Sequence, residues 1–511
     1  MKETRSAIVC VPVCASRARD LKQLVERAAG MAEMIEVRLD CLAGAELDAA
    51  LLDLNSLLRS CACPSIITLR PVGQGGRREI DTLNRVAFWL EHFAYDGEYA
   101  GFADIELDLA LLFTERERFD WSRVICSHHD FAGVADLESI YERMAKTPAR
   151  VLKIAARANE ITDCIPVLRL LERARREGRE MICIAMGEAG ILTRILGPSR
   201  GAFLTYGSPD TEHMTAPGQT SAAELRDLYR IHEIDRQTEI TGLMGSPVAH
   251  SVSPHMHNRA FKERGLNAVY LPFEVHDANM FLRRMARPRT REIDWSLRGL
   301  SVTAPHKSAV LEDLDWIEPS AREIGAVNTI VIEGDDLHGY NTDAAALLAP
   351  LRDKIGPARG MRFAVLGAGG AARSALWSLR EAGAQVSLFA RNVERARALA
   401  EKFGADCEQL EGASFDGFDV VINATPLGTR GQSEDEAPAT ATQLYGARLA
   451  YDLVYNPLET RFMREARRAG CEAIGGLEML VAQAAEQFKL WTGETAPFDL
   501  MLEAAARGLK G

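Results

Sequence analysis

The sequence predicts an α/β protein in two parts: an N-terminal parallel (β/α)8 TIM barrel, then a two-lobed unit that includes a Rossmann lobe. Three observations predict it. Short apolar, β-branched runs recur at helix-length intervals before residue 207. A strand, a glycine-rich turn and a helix follow one another over 361–383. The 511 residues also suit a barrel plus two smaller lobes.

The barrel runs are AIVCVPV (7–13), EMIEVRL (33–39), SIITLR (65–70), FADIEL (102–107), RVICS (123–127), RVLKIA (150–155), MICIAM (181–186) and AFLTY (202–206). Amphipathic stretches such as LKQLVERAAGM lie between most of them. An open doubly wound sheet is the competing architecture, but it normally carries a glycine-rich first turn, absent here. The run Ala7–Ala15 has Lys2 and Arg5 before it, as a signal segment would. It is short and holds a proline, so it reads better as the first strand.

Composition narrows the function. The net charge of −12 argues against a nucleic-acid partner, because phosphate contacts want a basic face. It leaves room for an anionic substrate, since a few arginines can reverse the field inside a cleft. No apolar run reaches about 18 residues, so no membrane span or membrane partner is expected. Ten cysteines occur without a C-x-x-C pair, so no metal site is expected. Cys10, Cys126 and Cys183 lie in apolar runs, and the cysteines read as reduced residues of a cytoplasmic protein.

Barrel chemistry sits at the C-terminal ends of the strands. Those ends carry Glu36, Arg38, Arg70, Asp104, Glu106, His129 and Lys153, with Arg194 just past the seventh run. Lys153 stands out inside the apolar VLKIA. It is either an edge lysine snorkelling to water or a desolvated amine beside Arg38, Arg70 and Arg194, able to attack a carbonyl. His129, in SHHDF, is then a candidate proton shuttle.

EMIEVRLD, TLR, SHHDF, LKIA, MGEAGILTR and APGQT, in that order over about 5–230, resemble type I 3-dehydroquinate dehydratase. The resemblance implies a barrel that works through a lysine imine without a metal. Lys153 would form the imine with 3-dehydroquinate and His129 would be the general acid/base. Arg194 would clamp the substrate carboxylate. Glu36, Arg38 and Arg70 would line the ring and its hydroxyls, and Thr215 and Gln219 would come from the loop after the eighth strand. Two positions depart from the family pattern: Gln74 stands where a glutamate is usual, and Thr215 where a serine is.

Residues 225–239 are polar and read as the end of the barrel's last helix leading into a second fold, which restarts at ITGLMG (240–245). Further on, MRFAVLGAGGAARSALWSLREAG fits G-x-G-x-x-A at Gly367, Gly369 and Ala372. Such glycines let a backbone approach a pyrophosphate at a helix N-terminus. The next strand ends at Arg391. No acid stands there for a ribose hydroxyl, so the arginine suits the 2′-phosphate of NADP; a surface arginine opening a helix is the alternative.

Before that turn, Ser251 and Ser253 could share one carboxylate, although Ser253-Pro254 reads equally as an N-cap and N1 proline. SVTAPHK holds Thr303 and Lys307, and VNT and GYNTDA supply Asn328, Asn341 and Asp343. A Lys–Asp pair is either an acid/base pair or an ordinary salt bridge.

GSPVAHSVSPHMHN, GLSVTAPHK, GAVNT, GYNTD, LGAGGAARSA, INATPLG, YDLVYNP and GGLEMLVAQAAEQF resemble shikimate dehydrogenase over about 240–511. The resemblance implies NADPH-dependent reduction of 3-dehydroshikimate. Lys307 and Asp343 would be catalytic, and Ser251 and Ser253 would hold the carboxylate. Thr303, Asn328 and Gln483 would bond ring hydroxyls, with Tyr455 in the same cleft. The cofactor would meet Gly367, Ala368, Gly369, Gly370, Ala371, Arg391, Asn423 and Thr425. Ser301 stands where many members carry asparagine.

Boundaries follow at 1–232 for the barrel, 239–345 for a substrate lobe completed by 477–511, and 346–476 for the NADP lobe. The acidic stretch 433–442 reads as a mobile surface loop. The resemblances imply two consecutive steps, from 3-dehydroquinate to shikimate. A chain in which only the dehydrogenase half works, on shikimate or quinate, is the alternative.

Overall fold

The computed structural model describes residues 7–93, 101–114, 119–210, 218–431 and 433–509. The chain divides into two compact units. One is Met1–Thr238 with Pro272–His276 and Glu292–Ser296; the other is Glu239–Leu271, Asp277–Arg291 and Leu297–Gly511.

All eight predicted runs hold a strand: β1 (Val9–Val13), β2 (Met34–Arg38), β3 (Ser65–Thr68), β4 (Phe102–Glu106), β5 (Val124–Asp130), β6 (Val151–Arg157), β7 (Glu180–Met186) and β8 (Thr205–Tyr206). They form one sheet in the order β7-β6-β5-β4-β3-β2-β1-β8. Every neighbouring pair is parallel. A parallel bridge between Met181 and Ala202 joins β7 to the residues before β8. The ring is therefore held at that seam by a single bridge.

Alternate residues of a strand share a face. Met34, Ile66, Ile125, Val151 and Ile182 pack into one apolar cluster. Two residues further along the same strands stand Glu36, Thr68, Ser127 and Lys153, with Asp104 two beyond Phe102, and all five are buried. An apolar layer is thus followed by a polar one toward the strand C-termini, where barrel sites form.

Cys10, Cys126 and Cys183 are buried free thiols. Cys14 and Cys41 instead form a disulfide, a correction to the expectation of reduced cysteines. They are 27 residues apart in sequence, and the parallel pairing of β1 with β2 brings them together. The 225–239 segment is also better packed than its polarity suggests, because Leu225, Tyr229 and Ile231 are buried.

The second unit carries two sheets. The first contains β9 (Glu239–Gly245), β10 (Ala268–Glu274), β11 (Ser296–Val302), β12 (Trp316–Ile317), β13 (Thr329–Glu333) and β14 (Asp336–Tyr340), in the order β10-β9-β11-β13-β14-β12. β13 is antiparallel to both neighbours. Helices Ser253–Glu263, Leu477–Thr492 and Phe498–Gly508 share an apolar cluster with this sheet, through Met256, Phe261, Tyr270, Phe488 and Met501.

The other sheet contains β15 (Arg362–Leu366), β16 (Gln385–Ala390), β17 (Asp406–Gln409), β18 (Val420–Asn423), β19 (Leu449–Asp452) and β20 (Glu472–Ile474). Its order is β17-β16-β15-β18-β19-β20, all parallel, the doubly wound arrangement. The stretch 433–442 is anchored rather than loose. Its acids Glu434, Asp435 and Glu436 are exposed, but Ala439 is buried in an apolar cluster, and Thr440 and Gln443 form a capping box.

Candidate active sites

The barrel encloses a cavity of about 220 Å³. Its lining brings together Glu36, Arg38, Arg70, His129, Lys153, Arg194 and Gln219 from six different segments, with Gln74, Tyr206 and the apolar Phe131, Ile184 and Met186. Thr215 lies outside the described residues.

Lys153 is 4% exposed. Its Nζ donates to Asp104 Oδ2 and Tyr206 Oη, both at 2.8 Å, and stands 3.5 Å from Glu36 Oε1. Arg70 Nη2 donates to the same Asp104 oxygen at 2.8 Å. Burial alone would raise the Asp104 carboxyl, but Arg70 and Lys153 hold it well below the usual range. Thr68 Oγ1 donates to Glu36 Oε1 at 2.6 Å. Arg38 makes two 2.8 Å bonds to Asp40.

Arg70 Nη1 contacts both ring nitrogens of His129, at 2.7 Å from Nδ1. A guanidinium only donates, and a neutral imidazole offers it one acceptor nitrogen, whereas an imidazolium offers none. Burial, then Arg70, Lys153 and Arg38, push the His129 pKa well below its ordinary value. The main-chain N–H of His129 donates to Gln74 Oε1.

Arg194 is 2% exposed, and its guanidinium makes no hydrogen bond or ion pair among the described residues. Burial lowers its pKa to about 10. A desolvated cation without a counter-ion is costly, and an anionic substrate group would relieve it.

The second unit holds a cavity of about 180 Å³ lined by Ser251, Ser253, Thr303, Lys307, Asn328, Asp343, Tyr455 and Gln483, together with Ala371 of the glycine turn. Lys307 Nζ lies 2.5 Å from Asp343 Oδ2. Asn328 Nδ2 donates to Asp343 Oδ1 at 2.8 Å and to Thr342 Oγ1 at 2.9 Å, fixing the carboxylate. It also stands 3.5 Å from Gln483 Oε1. Ser251 Oγ donates to Ser253 Oγ at 3.1 Å and accepts from the Ser253 N–H at 3.2 Å. The helix begins at Ser253 itself, with Val252 at the cap position, so the N-cap reading of Ser253 is corrected. Burial raises the Tyr455 phenol, and the nearby Ser251 opposes that rise.

The glycine turn joins β15 to helix Gly370–Glu381. Gly367 has φ +103°, and a Cβ there would meet Thr425 Cγ2 at 2.8 Å, so a side chain is doubly disfavoured. A Cβ on Gly370 would lie 3.4 Å from Lys307 Cδ, which puts the turn beside the Lys307–Asp343 pair. Asn423 is fully buried; its amide meets Asp452 Oδ1 and Leu427 O, and its oxygen accepts from the Thr425 N–H and hydroxyl. Both residues thereby shape the loop under the turn. Arg391 is exposed just past β16 and forms no ion pair among the described residues. A bared backbone turn at a helix N-terminus with a free guanidinium nearby fits a phosphorylated dinucleotide.

Sequence reasoning noted Asp104 and Ser301 but gave them no role, and passed over Tyr206 and Gln487. Tyr270 Oη donates to Ser301 Oγ, which donates to Gln487 Oε1, each at 2.8 Å. Tyr206 and Tyr270 read as core residues in sequence; a charged residue inside an apolar run was the usable signal, and it pointed to Asp104.

Residues 9–236 match the family described as type I 3-dehydroquinase. Residues 243–330 match the shikimate dehydrogenase substrate binding domain, and 476–506 the shikimate 5′-dehydrogenase C-terminal domain. A bifunctional 3-dehydroquinate dehydratase/shikimate dehydrogenase of Arabidopsis thaliana, chloroplastic, is 32% identical, over 97% of this chain and 83% of its own. A shikimate dehydrogenase (NADP(+)) of Methanopyrus kandleri is 41% identical over 54% of this chain and 98% of its own. Among solved structures, a shikimate dehydrogenase in complex with NADP+ superposes with TM-score 0.50 at 37% identity, covering 54% of this chain and 97% of that one.

Proposed function

The chain belongs to the bifunctional 3-dehydroquinate dehydratase/shikimate dehydrogenase family, and from that premise we propose how its residues divide two consecutive reactions of the shikimate pathway. The barrel, placed at 1–232, dehydrates 3-dehydroquinate to 3-dehydroshikimate. The lobes at 239–345 with 477–511 and at 346–476 reduce that product to shikimate.

In the barrel, Lys153 attacks the substrate ketone and forms an imine, which draws electrons from the neighbouring carbon. Neutral His129 removes the proton there and helps the hydroxyl leave as water. Arg194 takes the substrate carboxylate, and Arg38, Glu36, Arg70 and Gln219 hold the ring. The observation that carries this reading is the placement of Lys153, a buried amine in a cavity that also holds the Arg194 guanidinium, which has no ion-pair partner among the described residues.

In the second half, Ser251, Ser253 and Tyr455 bind the carboxylate, while Thr303, Asn328 and Gln483 orient the ring. NADPH, held at Gly367–Ala371 and Arg391, supplies the hydride when bound. Lys307, fixed by Asp343, stabilises the developing alkoxide and gives it a proton. The eight unpaired cysteines suit a cytoplasm-like reducing compartment, with Cys14 and Cys41 as the exception.

The test supplies 3-dehydroquinate and NADPH to the intact chain. NADPH loss with shikimate formation is expected. Turnover of added 3-dehydroshikimate alone would mean that the barrel is inactive.

A further inference from the structure

We infer that Tyr206 is a catalytic residue of the barrel, whose hydroxyl carries protons between Lys153 Nζ and the ketone oxygen as the imine forms. The inference rests on Lys153 being the imine-forming amine. Tyr206 Oη lies 2.8 Å from Nζ, at the end of β8, in the wall of the same cavity. The hydroxyl makes no other hydrogen bond among the described residues. The ring also faces the amine, with Nζ 4.6 Å from its centroid.

Imine formation must remove protons from nitrogen and deliver them to oxygen. The Lys153 ammonium and the ketone give an iminium and one water, so the charge balances without an outside acid. Of the three ammonium protons, two leave with the carbonyl oxygen and one stays on nitrogen. Nζ must first give up one proton to free the electron pair that bonds to the carbonyl carbon, and that proton passes to the oxygen, giving a carbinolamine with two protons still on nitrogen. As the C–O bond breaks and the nitrogen pair forms the C=N bond, the second proton must follow, so that the oxygen leaves as water.

The carrier must accept at Nζ and donate to an oxygen one bond beyond the attacked carbon. Asp104, the other 2.8 Å partner of Nζ, is held ionised by Arg70 and Lys153 and can only accept. Glu36 Oε1 stands farther off, at 3.5 Å, and already takes the Thr68 hydroxyl. The Tyr206 hydroxyl both accepts and donates. It takes a proton from Nζ, releases its own to the oxygen, and is neutral before and after each transfer. Burial, then the nearby Glu36, Cys10 and Asp104, push its phenol pKa well above the ordinary value, so the neutral relay form is the one present.

Tyr206→Phe in the full chain tests this, because it keeps the ring and its packing and leaves Lys153 its carboxylate partners. Imine is trapped with borohydride at rapid-quench times after mixing with 3-dehydroshikimate, and adduct mass is read on the chain. The expected result is trapping slowed by about a hundredfold or more, to the same final yield as the parent, with the dehydratase kcat lowered and KM changed little. Trapping at the parent rate overturns the relay. Loss of both the rate and the final yield also overturns it, since the hydroxyl would then hold the site together rather than move protons. The absence of any adduct in the parent chain would instead overturn the imine reading on which the relay rests.

Discussion

Gln74 Oε1 accepts a hydrogen bond from the main-chain N–H of His129 at 2.8 Å. The residue that departs from the family pattern thus steadies the backbone of the candidate acid/base, and a glutamine serves that contact as well as a carboxylate would. Gln74→Glu keeps an acceptor in place and is expected to hold dehydratase kcat within about threefold. Gln74→Leu removes the contact, worth about 1 kcal/mol, and is expected to slow dehydration about fivefold. Shikimate dehydrogenase activity in the same chain is unchanged in both. A Gln74→Leu chain with the parent's dehydratase rate would contradict the role.

His129 is the basis of a pH prediction. Burial and the surrounding cations lower its pKa well below 6.5, so the neutral form persists into acid. Dehydratase kcat/KM should therefore hold steady as pH falls through 6.5 and decline only below it. His129→Ala should lower kcat by about 10²–10⁴-fold. A pH–rate profile with its acid limb centred at or above 6.5 would argue against His129 as the neutral base.

Glu106 predicts a stability effect of opposite sign to that of most carboxylates. It is 2% exposed, and burial outweighs Arg70 and Arg85, raising its pKa from 4.5 to about 7. The folded chain holds this proton more tightly than the unfolded one. Its contribution is fully present below about pH 4.5 and is lost as pH rises to about 7, a change of about 3 kcal/mol at most. Glu106→Gln should therefore gain stability relative to the parent as pH goes from 4 to 8. Denaturant unfolding at those two pH values checks it, and a constant difference would refute it.

Arg391 is expected to set cofactor choice. An arginine–phosphate pair is worth about 1.5–3 kcal/mol. Arg391→Asp removes that pair and adds a carboxylate suited to a ribose hydroxyl. The ratio of kcat/KM for NADPH over NADH should drop by about 10–100-fold, with the barrel reaction unaffected. An unchanged ratio would place phosphate recognition elsewhere.

The barrel was legible because eight apolar runs alternate with amphipathic stretches, and strand and helix periods survive in sequence. Lys153 was legible for a related reason: a charge inside an apolar run is costly unless it has partners or work to do. The dinucleotide turn was legible because only glycine suits a backbone such as that at Gly367. Tyr206 was not, since a tyrosine closing an apolar strand reads the same whether its hydroxyl meets water, backbone or an amine. Gln487 was hidden likewise, as its contact with Ser301 spans 186 residues.

The sequence by itself determined which segments form strands and which residue types can carry the chemistry, because local periodicity and motif spacing are properties of the chain; the two reactions came from the resemblance of its motifs to two known families. Only the tertiary structure decided what surrounds each of those residues. The tertiary fold set Asp104 and Tyr206 against Lys153, left Arg194 without a counter-ion among the described residues, joined Cys14 to Cys41 and fixed Gln74 on His129. Those contacts arise between residues far apart in sequence, and they govern which groups are charged, which are neutral and which are held still.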